Sequence, residues 1–465
     1  MAGIKKLGSS IYEWYAKNYL MILMGASVIV AGSIFFIYGY IDLKSLTVWS
    51  LNLLDVIYEG RPYEYYAYCA ENIYNVDSAY MGSGYLALIP WAIWNIPIWI
   101  MQRWFGVVAV GHAWALLYSK IFVVLVEGVM LYYLYKITMY FTGDIKESRM
   151  AAYLVFSSPF VLTSIFFAGQ TDVVSLCLLT IAVYHLLRKK RAWFIIFAAL
   201  SIAAKPYVLF AYIAIILLIE KNVWKICAYV LGGGSVTLIF NLIYLNAPMY
   251  KESMSGGPTG GQMDALLSVS IDGGIGQKIP LFVVAIVLFY FYMYMKRYDE
   301  EKSIWIVYAA SVSFLLFLML TMPKTYRMIY IAPFIFILFL YNKEKLQLNL
   351  LIEVIASACA IIVFFVRNER FFSSWYIFQF VRDRMTDFGN AALSNVRNGL
   401  GQPTFQPYVY GISAVYIAAF ILLILINHPG FKAPHSEELK LGTKFILWVR
   451  ALILVPLIVL SLYGN

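Results

Sequence analysis

The chain has 465 residues, of which 62% are hydrophobic and only 13% charged. No soluble core of that length can hide so much apolar surface, so lipid is the solvent for most of the chain. The net charge of +10 is scattered over loops without forming a stripe, which excludes a nucleic-acid partner and suits an anionic cytoplasmic leaflet, with membrane lipids as partners.

The N-terminal stretch carries Lys5, Lys6 and Lys17 ahead of a long apolar span with no small-residue cleavage site. That is the pattern of a retained first helix, not of a removed signal peptide. The first span covers residues 21–40. Residues 41–110 follow, too long for a plain connection and expected to form a folded first external loop. Within it the Trp-rich run 91–105, interrupted by Pro97, reads as a helix lying in the membrane interface. The second span, 112–140, contains Lys120 and Glu127 on one face. Ionisable groups at that depth are costly, and these read equally as a structural pair made through other helices or as ligand-binding groups.

A third span ends at Phe167, just before Gly169-Gln170-Thr171-Asp172. The fourth runs to Leu187 and meets the basic run Arg188-Lys189-Lys190-Arg191; the fifth ends in Lys205-Pro206-Tyr207. Basic residues mark cytoplasmic helix ends, so this run places Asp172 and Lys205 together on the opposite, outer side. A sixth span ends at Glu220, and a seventh leads to a Gly- and Ser-rich external loop, 246–278. Lys296 and Arg297 mark an inner turn, whereas Lys324 and Arg327 lie on a short outer one. The next long external loop, 367–407, carries Arg367, Arg370, Arg382, Arg384 and Arg397. The expectation is an all-α polytopic membrane protein: one transmembrane domain over 1–465, about 11–14 transmembrane helices, long external loops and a cytoplasmic N-terminus. The four cysteines have no metal-ligand spacing and are expected to be small buried hydrophobes.

Several polar residues invite chemistry, each with a plainer alternative. Asp42 either marks a helix exit into water or is a partly desolvated carboxylate able to take a proton from a hydroxyl. Asp172 or Thr171 could simply cap the next helix, but the amide of Gln170 at the membrane edge needs a partner. Lys205 is either a snorkelling lysine at a helix break or the ammonium of a site shared with Asp172 and Gln170 on the outer face. Lys324, Arg327, Arg367 and Arg370 are solvated loop cations or ligands for phosphate oxygens. No metal site is expected, since the histidines are scattered and the first loop has no Asp-x-Asp pair. Residues 256–261 are Gly-rich but lack the lysine and hydroxyl residue of a nucleotide loop.

Taken together, Asp42 and Trp49 after one helix, then Gly169-Gln170-Thr171-Asp172 heading a helix, a basic turn and Lys205-Pro206-Tyr207 resemble the GT-C superfamily. These are polytopic glycosyltransferases, such as the GPI and dolichol-type mannosyltransferases. The resemblance covers the first half by motif and the rest only by topology. It implies an inverting transfer from a polyprenyl-phosphate-linked sugar donor to a glycan, lipid or protein acceptor on the outer face, without a cofactor. Asp42 would then be the general base, Gln170 and Asp172 would shape the donor or acceptor pocket, and Lys205 would lie near the donor phosphate. Arg327, Lys324, Arg367 and Arg370 are added on charge and side alone. Asp42 stands where the family often has an acidic pair, with Asp55 and Glu59 further along. The absence of a retrieval signal or long lumenal domain points to a bacterial plasma membrane and a cell-envelope glycan. Two other readings remain: a lipid-linked glycan polymerase or ligase, kept open by the Arg-bearing loop, and a lipid-linked sugar flippase or transporter.

Overall fold

The computed structural model describes residues 2–71, 85–107, 112–256, 266–267, 269–274, 277–298, 304–321, 325–367, 377, 404–430 and 441–462. It is 84% helical. Among the described residues six helices are long and apolar enough to cross a bilayer, or seven if one bent pair counts as a span. The protein is therefore an integral, polytopic, helical membrane protein.

In chain order the helices are α1 (Ala2–Ile37), α2 (Ile41–Tyr58), α3 (Tyr65–Ala70), α4 (Ile89–Phe105), α5 (Ala113–Thr142) and α6 (Ile145–Phe156). A short α7 (Pro159–Val161) runs into a π-helical turn, Leu162–Ala168. Then come α8 (Asp172–Leu187), α9 (Arg191–Ala204), α10 (Val208–Ile219), α11 (Val223–Tyr244) and α12 (Tyr250–Gly256). A small antiparallel hairpin, β1 (Ser270–Asp272) with β2 (Lys278–Pro280), pairs Ile271 with Ile279. It is followed by α13 (Leu281–Met295), α14 (Ile304–Thr321), a 3₁₀ turn (Thr325–Ile331), α15 (Ala332–Tyr341), α16 (Leu346–Arg367), α17 (Gln406–Ile426), α18 (Leu441–Leu452) and α19 (Val455–Leu462).

The apolar stretches divide into two kinds. Five of them, including α8, α9 and α10, form helices of only 10–17 residues. At 1.5 Å per residue these fall short of a hydrocarbon core about 30 Å thick. They can be short because protein surrounds them: α8, α10 and α15 are buried on most of their surface. By contrast, α11 buries only Gly233 and Tyr244, with Leu231, Leu238 and Leu242 facing outward toward lipid. Cys227, on this helix, is exposed, whereas Cys69 and Cys177 are buried.

Two buried cations fasten this bundle. The ammonium of Lys120, on α5, donates to the carbonyls of Phe35 at 2.9 Å and Tyr38 at 2.6 Å. It satisfies the orphan carbonyls at the end of α1, where a positive charge also suits the helix dipole. The second cation sits at the bent pair, α6 and α7, which meet at 45°. The break at Ser157 and Ser158 frees backbone groups, and Arg450 of α18 takes up the Leu154 carbonyl and the Ser157 hydroxyl. Arg450 also pairs with Glu353 at 2.7 Å, and Glu353 accepts from Ser158 at 2.9 Å. Lys120 and Glu127 are both buried but do not pair with each other, and Glu127 Oε1 has no hydrogen-bond partner among the described residues.

Candidate functional site

The site begins at the junction that Lys120 holds. Tyr38 stacks on Phe167 with ring centroids 4.4 Å apart, and Tyr40 lies 5.7 Å from Tyr326. These rings set the start of α2 against both the π-helical turn and the 3₁₀ turn. Asp42 lies in the first turn of α2, inside a helix and not in a loop beyond one. Its neighbour Leu43 is buried against Gly169.

Gly169 is what makes the approach possible. It ends the π-helical turn with φ of 64°, a left-handed conformation that disfavours a side chain. A Cβ there would meet Leu43 Cδ1 at 3.1 Å. The turn reverses the chain so that the Gln170 amide donates to Asp42 Oδ2 at 2.7 Å. This bond supplies the partner that a buried amide requires. π-Helical turns recur at functional sites, and here one aims the amide.

Asp172 opens α8, yet neither it nor Thr171 makes a side-chain cap. The carboxylate instead accepts from the Tyr330 hydroxyl at 2.9 Å. Tyr330 is within 3.3 Å of Ser175 Oγ, and Ser201 Oγ donates to the Ser175 carbonyl at 2.6 Å. This chain of bonds stitches α8 to α9. Four residues after Ser201 comes Lys205, whose backbone N–H donates to the Ser201 carbonyl at 3.0 Å. Pro206 keeps Lys205 extended, at φ −150° and ψ 121°.

The lysine sits in the turn between α9 and α10. Burial lowers its pKa, Arg327 acts in the same direction, and Asp172 and Asp42 oppose them. The Arg327 guanidinium lies over the Tyr207 ring at 5.4 Å and the Tyr326 ring at 6.0 Å. Neither cation is in ion-pair contact with a described carboxylate. Two carboxylates held by hydrogen bonds thus face two cations that do not neutralise them directly, an arrangement suited to an anionic ligand.

The structure therefore brings together Asp42, Gln170, Asp172, Lys205 and Arg327 from four separate parts of the chain. Arg367 ends α16 with its side chain outside the described part, and Lys324 and Arg370 lie outside the described residues. The other first-loop acids are committed elsewhere. Asp55 is buried and accepts from Trp99 Nε1 at 2.8 Å and Tyr68 at 3.3 Å, and Glu59 pairs with Arg61 and Arg103. Among the described residues no three of His, Cys, Asp and Glu gather as a metal-ligand group. Sequence reasoning gave no role to Tyr207, Tyr326 or Tyr330. The signal was present, since two of them flank Arg327 and one follows Lys205-Pro206.

Fold and site define a polytopic membrane protein with a partly buried, mixed-charge polar cluster where several helices end. No protein-family model matches the chain, and no curated protein or solved structure matches it either.

Proposed function

We propose that this protein is a GT-C-like glycosyltransferase that moves a sugar from a polyprenyl-phosphate lipid to an acceptor hydroxyl at the outer face of the membrane. The observation that carries the reading is the convergence of Asp42, Gln170, Asp172, Lys205 and Arg327 around one place. In an inverting transfer the acceptor oxygen attacks the anomeric carbon, its proton passes to Asp42, and the sugar–phosphate bond breaks with its electron pair going to phosphate. The Gln170 bond to Asp42 Oδ2 leaves Oδ1 to take that proton and orients the base. Charge develops on the departing phosphate, and fixed cations stabilise it more as the bond breaks than before. Lys205 and Arg327 have the charge and the unneutralised state for that role.

A lipid-linked donor needs no nucleotide-binding domain, and its tail stays in the bilayer while its head reaches the helix ends. A transport reading would use Lys120 and Arg450 as steps of a charged path. Their bonds to the α1 carbonyls and to Glu353 make them structural instead. The test is a donor screen with purified membranes, polyprenyl-phosphate monosaccharides against nucleotide sugars. Transfer from the lipid donors alone is expected; use of nucleotide sugars alone would remove the reading.

A further inference from the structure

We infer that Trp49 and Asn52 form a sugar-hydroxyl subsite on the face of α2 that carries Asp42, a placement in the reaction that rests on the transferase reading. At about 100° per residue, positions 42, 49 and 52 fall within roughly 80° of one another on the helix. Trp49 is about 10 Å along the axis from Asp42, the reach of one or two sugar rings.

Both side chains are buried, at 7% and 2% exposure. Among the described residues, Trp49 Nε1 and Asn52 Oδ1 have no hydrogen-bond partner. The Asn52 amide nitrogen donates to Cys69 Sγ at 3.4 Å, so its oxygen is the end left open. Each such group is destabilising when buried without a partner, a cost that phenylalanine and leucine would avoid. One open donor and one open acceptor, less than one helical turn apart on α2, can pair with sugar hydroxyls, each of which can accept and donate.

The surroundings suit a sugar. The Tyr65 hydroxyl donates to the Trp49 carbonyl at 3.2 Å. Beside it Tyr66 meets Tyr250 at 5.0 Å and Tyr244 at 5.7 Å, and Tyr244 is tied to Pro62 at 3.1 Å. Tyr244 ends α11. Two polar readers thus lie on a helix packed beside a cluster of tyrosines, side chains whose apolar ring faces suit sugar C–H groups.

The test uses the full chain in phospholipid nanodiscs with nitrogen-15 in its tryptophan indoles. The Trp49 indole resonance is assigned by its loss in Trp49→Phe. Methyl glycosides of mannose, glucose, galactose and N-acetylglucosamine, with their monodeoxy forms, are then titrated. At least one glycoside is expected to shift the Trp49 resonance saturably, with one deoxy form binding about 5–30-fold more weakly. That loss should vanish in Asn52→Leu, and the deoxy series on the unaltered chain needs no variant to fold. A Trp49 resonance unmoved by all four glycosides overturns the subsite. Saturable binding without transfer from any lipid donor keeps the subsite and removes the transferase reading.

Discussion

The Gln170 amide donates to the Asp42 carboxylate at 2.7 Å, across 128 residues of sequence. The contact fixes which of the first-loop acids faces the cations, because Asp55 and Glu59 are each held by other partners. Replacing Asp42 with Asn keeps the shape and removes the base. Transfer in membranes should fall by about 10²–10⁴-fold, with the thermal melt unchanged. Asp55→Asn should instead lower the melting temperature and change turnover far less. Wild-type turnover in Asp42→Asn would eliminate the proposed base.

Lys205 and Arg327 should act on the donor more than on the acceptor. Alanine at either is expected to weaken donor use by about tenfold or more, with acceptor binding little changed. Equal donor kinetics in both variants would dismiss the phosphate role.

The pH dependence follows from burial. Because the folded pKa of Lys205 is lowered, its ammonium is lost at a lower pH than that of a solvent-exposed lysine. Donor use should therefore decline on the alkaline side earlier than lysine's ordinary titration. Between the lowered and the ordinary pKa the unfolded chain binds the extra proton, so this residue makes stability rise with pH through that window. Lys205→Arg stays charged and should flatten the alkaline limb. An unchanged limb would assign it to another group.

Lys120 is expected to matter through position alone. Lys120→Met leaves the Phe35 and Tyr38 carbonyls without their donor, at about 1–3 kcal/mol each. The melting temperature should fall, and turnover with it, since the same junction sets Asp42. Full stability in detergent would show that the carbonyls find other partners.

The Arg450–Glu353 pair gives a double-mutant test. Removing one buried partner should cost about 3–5 kcal/mol, whereas Arg450→Met with Glu353→Leu together should cost less than the two single changes summed. Strict additivity, measured by thermal unfolding, would argue against direct coupling.

The sequence alone determined the solvent and the main polar players. Hydrophobic runs and sparse charge mark a membrane protein because lipid penalises every unpaired polar group. The few polar residues at helix ends, Asp42, Gln170, Asp172, Lys205 and Arg327, therefore stood out in the chain. Tertiary structure decided what no local pattern encodes. It showed that several apolar runs are short helices sheltered by others, that Lys120 and Arg450 hold carbonyls and a carboxylate within the bundle, and that tyrosines cradle Asp172 and Arg327. Those outcomes depend on which helices meet, and a ring or an ammonium acquires its role only from the atoms that packing brings within a few ångströms of it.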